Sequence, residues 1–357
     1  MADLLVLPRP SKSYAPRPPI PAPNEAAFTS TFGALLPAAQ YLQLDQGRAA
    51  YYHFPLTASS SSSPGTVNPA SSTTSNASTA NDSVPKRILL LHGVQTPALG
   101  LFPLITALRA RYPGTEFATL DLWGHGLSEV PFAPHCGELF HTLVDGVLGA
   151  LGWKTSAEEE EGRVGIVGFS FGAVVTMGYL SSPLYKEWVK KGVKGCVLVA
   201  PAGLLKKSWF KEEELALLST ACPAEDEGRA AKFVVSALEG GELVVPEDWR
   251  DVVAKGGVEA QAVKRWQLDN HNGHEASVVG IFRDGGVIGN EELFVKMRAA
   301  GVRTLVVLGS EDGLTDEKEI KGFGFDVKVV EGVGHGVPRE RPEDVAEFIA
   351  GFWRGQY

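Results

Sequence analysis

The residues best suited to chemistry stand at one corner of the chain. Gly168-Phe169-Ser170-Phe171-Gly172 follows the apolar run Val164-Gly165-Ile166-Val167 and precedes Ala173-Val174-Val175. The pattern predicts a buried strand, a sharp turn and a helix, with one serine at the turn. Gly-x-Ser-x-Gly in that setting is a nucleophile elbow. Gly168 and Gly172 carry no side chains, so strand and helix can approach across the tight turn. The Ser170 hydroxyl then stands exposed above the sheet, with a helix N-terminus behind it. Serine is a poor nucleophile at neutral pH and needs a base within hydrogen-bonding reach. The base in turn needs an acid to orient it and to stabilise it once protonated.

Such partners belong at strand ends, because function in parallel sheets gathers just beyond the carboxyl ends of the strands. Four further ends carry suitable residues. His92-Gly93-Val94-Gln95 follows a strand at 87–91, and Asp121-Leu122-Trp123-Gly124-His125-Gly126-Leu127-Ser128 follows one at 117–121. Gly309-Ser310-Glu311-Asp312 follows a strand at 303–308, and Gly332-Val333-Gly334-His335 follows a short one at 326–330.

The elements that must position these residues alternate. Two strands, 40–44 and 48–54, meet at the turn Asp45-Gln46-Gly47. Helices are predicted at 101–111, 141–151, 290–300 and 342–352, and a strand at 195–200. Alternation of this kind implies an α/β fold, a mostly parallel sheet flanked by helices. The rhythm fails between Pro201 and Ser277, a charged stretch of helical periodicity that contains Trp209, Trp249 and Trp266. It reads as a helical cap, residues 201–277, inserted into a core of residues 28–200 and 278–357. Residues 1–27 are rich in proline and should form an extended or disordered tail. Residues 57–84 are mostly Ser, Thr, Asn, Ala and Pro, with little to bury, and should form a mobile loop. Asn76-Ala77-Ser78 and Asn81-Asp82-Ser83 within it match a glycosylation pattern that chance explains in so Ser- and Asn-rich a tract.

Taken in order, these motifs resemble the α/β-hydrolase family. The His-Gly, the Gly-His-Gly-x-Ser, the Gly-x-Ser-x-Gly, the Gly-x-x-Asp and the late Gly-His all occur in the family's sequence, from about residue 41 to the C-terminus. The resemblance implies a serine nucleophile, Ser170, an orienting acid, Asp312, and a base, His335, with Glu311 and Asp316 as neighbouring alternatives for the acid. It implies an oxyanion hole made by the backbone N–H groups of Val94 and Phe171. His92 and His125 take the positions that shape turns near the pocket. Trp123 either lines that pocket or packs in the core.

The formal net charge of −9 argues against nucleic acid, whose phosphates call for excess Lys and Arg. Cys136, Cys196 and Cys222 are scattered and odd in number, which suggests a reducing compartment rather than a disulfide framework. No secretory signal is expected, no transmembrane segment, and a cytoplasmic location is the default reading. No Cys, His or acidic cluster has metal-ligand spacing, and the implied chemistry requires no cofactor.

The expected activity is hydrolysis of a carboxylic ester or related acyl compound through an acyl-enzyme. Serine at the elbow disfavours the dehalogenase and epoxide hydrolase branches of the family, which place aspartate there. Trp209, Phe210, Trp249 and Trp266 point to an apolar or aromatic acyl substrate, a small molecule, if they line the pocket, and otherwise form the cap's own core. Asn270-His271-Asn272-Gly273-His274 lies where the cap returns, and one of its polar groups is a candidate to face the pocket. A carbon–carbon bond hydrolase and a non-catalytic ligand-binding protein on the same fold remain as alternatives.

Overall fold

The computed structural model describes residues 5–10, 12–56, 84–154 and 163–357. The serine-rich stretch at 57–83 and both Asn-x-Ser matches lie outside the described residues. Eight strands form one sheet: β1 (Gln40–Leu44), β2 (Gly47–Phe54), β3 (Arg87–Leu91), β4 (Glu116–Leu120), β5 (Val164–Phe169), β6 (Val193–Val199), β7 (Thr304–Gly309) and β8 (Asp326–Val330). Their spatial order is β1-β2-β4-β3-β5-β6-β7-β8. The hairpin β1–β2 is antiparallel and adds to β4 antiparallel, and every other pairing is parallel.

The central strands are apolar throughout because both sheet faces are covered. Side chains alternate between the faces. Ile88 and Leu90 of β3 belong to one cluster, and Leu89 and Leu91 to the other. The first face is closed by α2 (Phe102–Arg111) and by α14 (Pro342–Trp353), which buries Val345, Ile349 and Trp353. The second face takes α3 (Gly137–Ala150) and α4 (Phe171–Ser181). α3 presents Leu139, Phe140, Leu143, Val144, Val147 and Leu148, a helical-period stripe. A short α5 (Lys186–Gly192) precedes β6.

Between β6 and β7 the chain is helical: α6 (Glu212–Leu217), α7 (Glu227–Glu239), α8 (Trp249–Ala254), α9 (Ala260–Asn270), α10 (His274–Asp284) and α11 (Glu291–Ala299). Within this stretch α10 runs unbroken through Ser277. The remaining helices are α12 (Glu317–Gly322) and α13 (Val337–Glu340).

The described residues of the proline-rich start pack onto the rest of the chain, unlike a disordered tail. Leu7 and Arg9 are buried, and Ile20 forms an isolated antiparallel bridge with Val130. Arg9 reaches Glu227 on α7 at 2.9 Å, and Arg283 on α10 holds the same carboxylate at 2.7 Å. Order also begins before Phe28, because Asn24 caps α1 (Glu25–Phe32) by accepting from the Ala26 N–H at 2.7 Å. The three cysteines are free thiols, and no helix among the described residues is long and apolar enough to cross a membrane.

Candidate active site

Ser170 sits between β5 and α4 with φ 54° and ψ −116°, a conformation that costs a non-glycine residue about 1–3 kcal/mol. Its neighbours make the turn possible. A Cβ on Gly172 would lie 2.3 Å from the Leu91 carbonyl oxygen, and one on Gly168 would lie 2.5 Å from the Gly172 carbonyl oxygen. Backbone cannot yield as a flexible side chain can, so both positions require glycine.

The loops after β7 and β8 bring the other two groups over the same point. Gly309 allows the crossing, since a Cβ there would stand 2.3 Å from the Val333 carbonyl oxygen. The Glu311 N–H then ties the loops together by donating to Val333 O at 3.0 Å. His335 Nε2 lies 2.9 Å from Ser170 Oγ, and its Nδ1 lies 2.9 Å from Asp312 Oδ2. An ionised carboxylate only accepts, so Nδ1 carries the proton and Nε2 presents its lone pair to the serine hydroxyl. The second oxygen, Asp312 Oδ1, accepts from the Leu314 N–H at 2.9 Å, which fixes the carboxylate. The alternatives are placed elsewhere: Asp316 caps α12 through the Glu319 N–H, and Glu311 is exposed.

Backbone from two directions adjoins Ser170. Phe171 is the first residue of α4, so its N–H has no partner within the helix. Its ring points away and packs on Phe140 at 5.0 Å. On the other side, a Cβ on Gly93 would lie 2.8 Å from Ser170 Cβ, so the loop at 92–95 abuts the serine. In that loop the Gln95 N–H is engaged by His125 Nε2 at 3.1 Å, and Val94 lines the cavity over Ser170.

His92 and His125 brace these loops. His92 Nε2 accepts from the Leu122 N–H at 2.9 Å, and its Nδ1 donates to Gly93 O at 2.6 Å. His125 Nδ1 donates to Trp123 O at 3.0 Å. Burial lowers the His92 pKa to about 4 and takes that of His125 well below its ordinary value, helped by the neighbouring His274 and His92 rings. Both therefore stay neutral, as bonds of this type require. Asp121 gathers the same turn: it accepts from the Ala98 and Leu127 N–H groups and the Tyr52 hydroxyl, while burial raises its pKa to about 6.

The cavity over Ser170 has a volume of ≈ 80 Å³ and an apolar wall that includes Phe169, Ala202, Leu205, Phe282 and Leu314. None of the tryptophans suggested by the sequence lines it. Trp209 is 49% exposed, and Phe210 packs on Phe233. Trp249 and Trp266 pack against Phe32 and Phe28 of α1, an N-terminal partner that nothing in their own neighbourhood announces. Trp123 belongs to the core, with its indole N–H on Leu139 O. His271 and His274 of the returning segment hold the Ser128 and Gly124 carbonyls instead of facing the cavity. Besides Ser170 and His335, the polar residues that line it are Gln95, Thr96, Lys264 and Arg339, none of which the sequence singled out for the cavity.

A larger groove of ≈ 650 Å³ opens at the far end of α4, beside Leu180, Lys186 and Arg303, and no His, Cys, Asp or Glu among the described residues lines it. No group of three or more His, Cys, Asp or Glu among the described residues is placed to hold a metal ion.

Comparison with known proteins agrees with this architecture. Solved structures of similar fold include a thermophilic esterase from Thermogutta terrifontis, 17% identical over 89% of this chain and 99% of that one, with a TM-score of 0.57. A haloalkane dehalogenase variant from Bradyrhizobium elkanii is 15% identical over 89% of this chain and 96% of its own, with a TM-score of 0.59. An enol-lactonase from Burkholderia xenovorans LB400 is 14% identical over 88% and 99%, with a TM-score of 0.55. At such identities the likeness is one of fold. No curated protein matches the sequence. The family profile described as the alpha/beta hydrolase family matches residues 88–348, from β3 into α14, and the chain belongs to that family.

Proposed function

We propose that the protein is a serine hydrolase that cleaves a carboxylic ester or related acyl compound through Ser170, His335 and Asp312. The observation that most supports this reading is the unbroken relay from Ser170 Oγ to His335 Nε2 and from His335 Nδ1 to Asp312 Oδ2, each at 2.9 Å. In the first step Ser170 Oγ attacks the acyl carbon while His335 takes its proton. The Val94 and Phe171 N–H groups donate to the developing oxyanion. The tetrahedral intermediate expels the alcohol, which receives the proton from His335, and leaves an acyl-serine. Water then attacks with His335 again as base, releasing the acid and restoring the serine.

The helices between β6 and β7 act in this reading as a cap. Leu205, Leu238 and Phe282 from that stretch close the cavity above the serine. At ≈ 80 Å³ the space is below the ~300–1,000 Å³ of drug-sized ligand pockets, so a short acyl group fits without helix movement.

Ser170→Ala should abolish turnover of a p-nitrophenyl ester and labelling by a fluorophosphonate probe. Undiminished turnover in that variant would overturn the assignment.

A further inference from the structure

One buried polar group in the cavity has unfinished hydrogen bonding. Gln95 is 1% exposed and lines the cavity, and its Nε2 has no partner among the described residues. An unsatisfied buried donor is costly, and the backbone adds to the cost. Gln95 has φ 66°, in the left-handed region that favours glycine. The fold nevertheless holds it from both sides: its N–H donates to His125 Nε2, and its carbonyl accepts from Gln267 Nε2 on α9. Glycine would satisfy the turn with less strain. Only a longer side chain delivers a donor into the cavity, and strain kept at such a place is a mark of function.

Charge supplies a second, independent observation. Lys264 of α9 and Arg339 of α13 line the same cavity, and among the described residues no Asp or Glu does. Both also interact within the chain. The Arg339 guanidinium lies 5.3 Å from the centre of the Phe169 ring, which also neighbours the His335 ring at 5.4 Å. Donor groups thus arrive from three separate elements at one small space, beside Thr96, Ser170 and His335.

We propose that this part of the cavity recognises a carboxylate, so that the substrate is an ester of a short dicarboxylic acid with one carboxyl left free. The proposal rests on the hydrolase reading above. The free carboxylate takes no part in bond breaking; it accepts from the Gln95 amide and pairs with Arg339 and Lys264. The planar amide and guanidinium suit a planar carboxylate, and the small volume favours it over a phosphate ester. Methylenes between the two acyl ends lie along Leu205 and Leu314.

The test compares p-nitrophenyl hydrogen glutarate with p-nitrophenyl valerate, which replaces the free carboxylate by a methyl group. The expected kcat/KM ratio favours the hemiglutarate by tenfold or more in the native protein. It falls toward one in Gln95→Leu, Lys264→Met and Arg339→Met, each checked for native melting. A ratio at or below one in the native protein, or variants that leave a high ratio unchanged, would overturn the proposal. A binding arm keeps the two readings distinguishable. Calorimetry on full-length Ser170→Ala protein compares monomethyl glutarate with neutral dimethyl glutarate. Tenfold tighter binding of the anion, lost in the Gln95 and Arg339 variants, supports carboxylate recognition even if no ester is turned over; equal affinity overturns it. Tighter binding of inorganic phosphate than of monomethyl glutarate overturns it in favour of a phosphate-bearing ligand.

Discussion

Replacing Asp312 by asparagine preserves size but presents an N–H₂ or a neutral oxygen to His335 Nδ1. The ring then loses the partner that keeps its proton on Nδ1 and its lone pair toward Ser170. On the proposed mechanism a drop in kcat of about 10⁴ is expected, the loss typical when the tautomer-fixing acid of a Ser-His-Asp triad is replaced. Glu311→Gln, one residue away but exposed, should change it little. A comparable loss in the Glu311 variant would put the acid elsewhere. At this scale much was legible. Ser170, His335 and Asp312 each follow a strand the sequence marks clearly, so backbone pattern alone delivers them to one place. Gln95 and Arg339 were not legible as cavity-lining residues, because nothing in a sequence says which way a side chain leaves a loop or a one-turn helix. His92 and His125 were foreseen as turn-shaping. Their pairing with particular N–H groups depends on loops that meet only in the fold.

Elements tell a parallel story. Gly172→Ala sets a Cβ 2.3 Å from the Leu91 carbonyl and 2.6 Å from the His92 carbonyl. Overpacking of this kind costs typically about 1–3 kcal/mol, and here it presses on the loop that carries Val94. A lower melting temperature together with reduced ester turnover is expected. Gly149→Ala in α3 meets nothing within 4 Å and serves as the opposite case. It should stabilise the protein by about 0.4–1 kcal/mol, chiefly by restricting the unfolded chain. Equal melting temperatures for the two variants would contradict the close-approach account of the elbow. The sheet was readable because β3, β5, β6 and β7 are short apolar runs bounded by loops, with both faces covered. The stretch between β6 and β7 was readable only as helical. Its helices bury their apolar sides against partners distant in sequence, as Trp249 and Trp266 do against α1, and periodicity does not name the partner.

For the molecule as a whole, the buried histidines set a pH dependence. Burial holds His92, His135, His141 and His271 to pKa values of about 4 and His274 to about 3, below the usual 6.5. In the unfolded chain these rings take up protons as pH falls through 6.5, while the folded chain refuses them until far lower. Their contribution is therefore intact above pH 6.5 and is lost as pH falls toward about 4. Asp121 and Asp284, raised to about 6 by burial, act with the opposite sign between pH 6 and 3.8 but are outnumbered. The urea midpoint should decline steadily from pH 7 to pH 5. A flat or rising midpoint would count against neutral buried rings.

The ion pair of Arg9 with Glu227 spans 218 positions of the chain. During synthesis the segment carrying Arg9 is made long before the helices it joins, and it must wait for both α7 and α10. Such a long-range contact carries a large loop-closure cost and belongs late on the folding route. Arg9→Met should therefore speed unfolding more than it slows refolding, a difference read from the two arms of a denaturant chevron. A mainly slowed refolding arm would place the contact early instead. A stretch made before α7 and α10 thus settles after them.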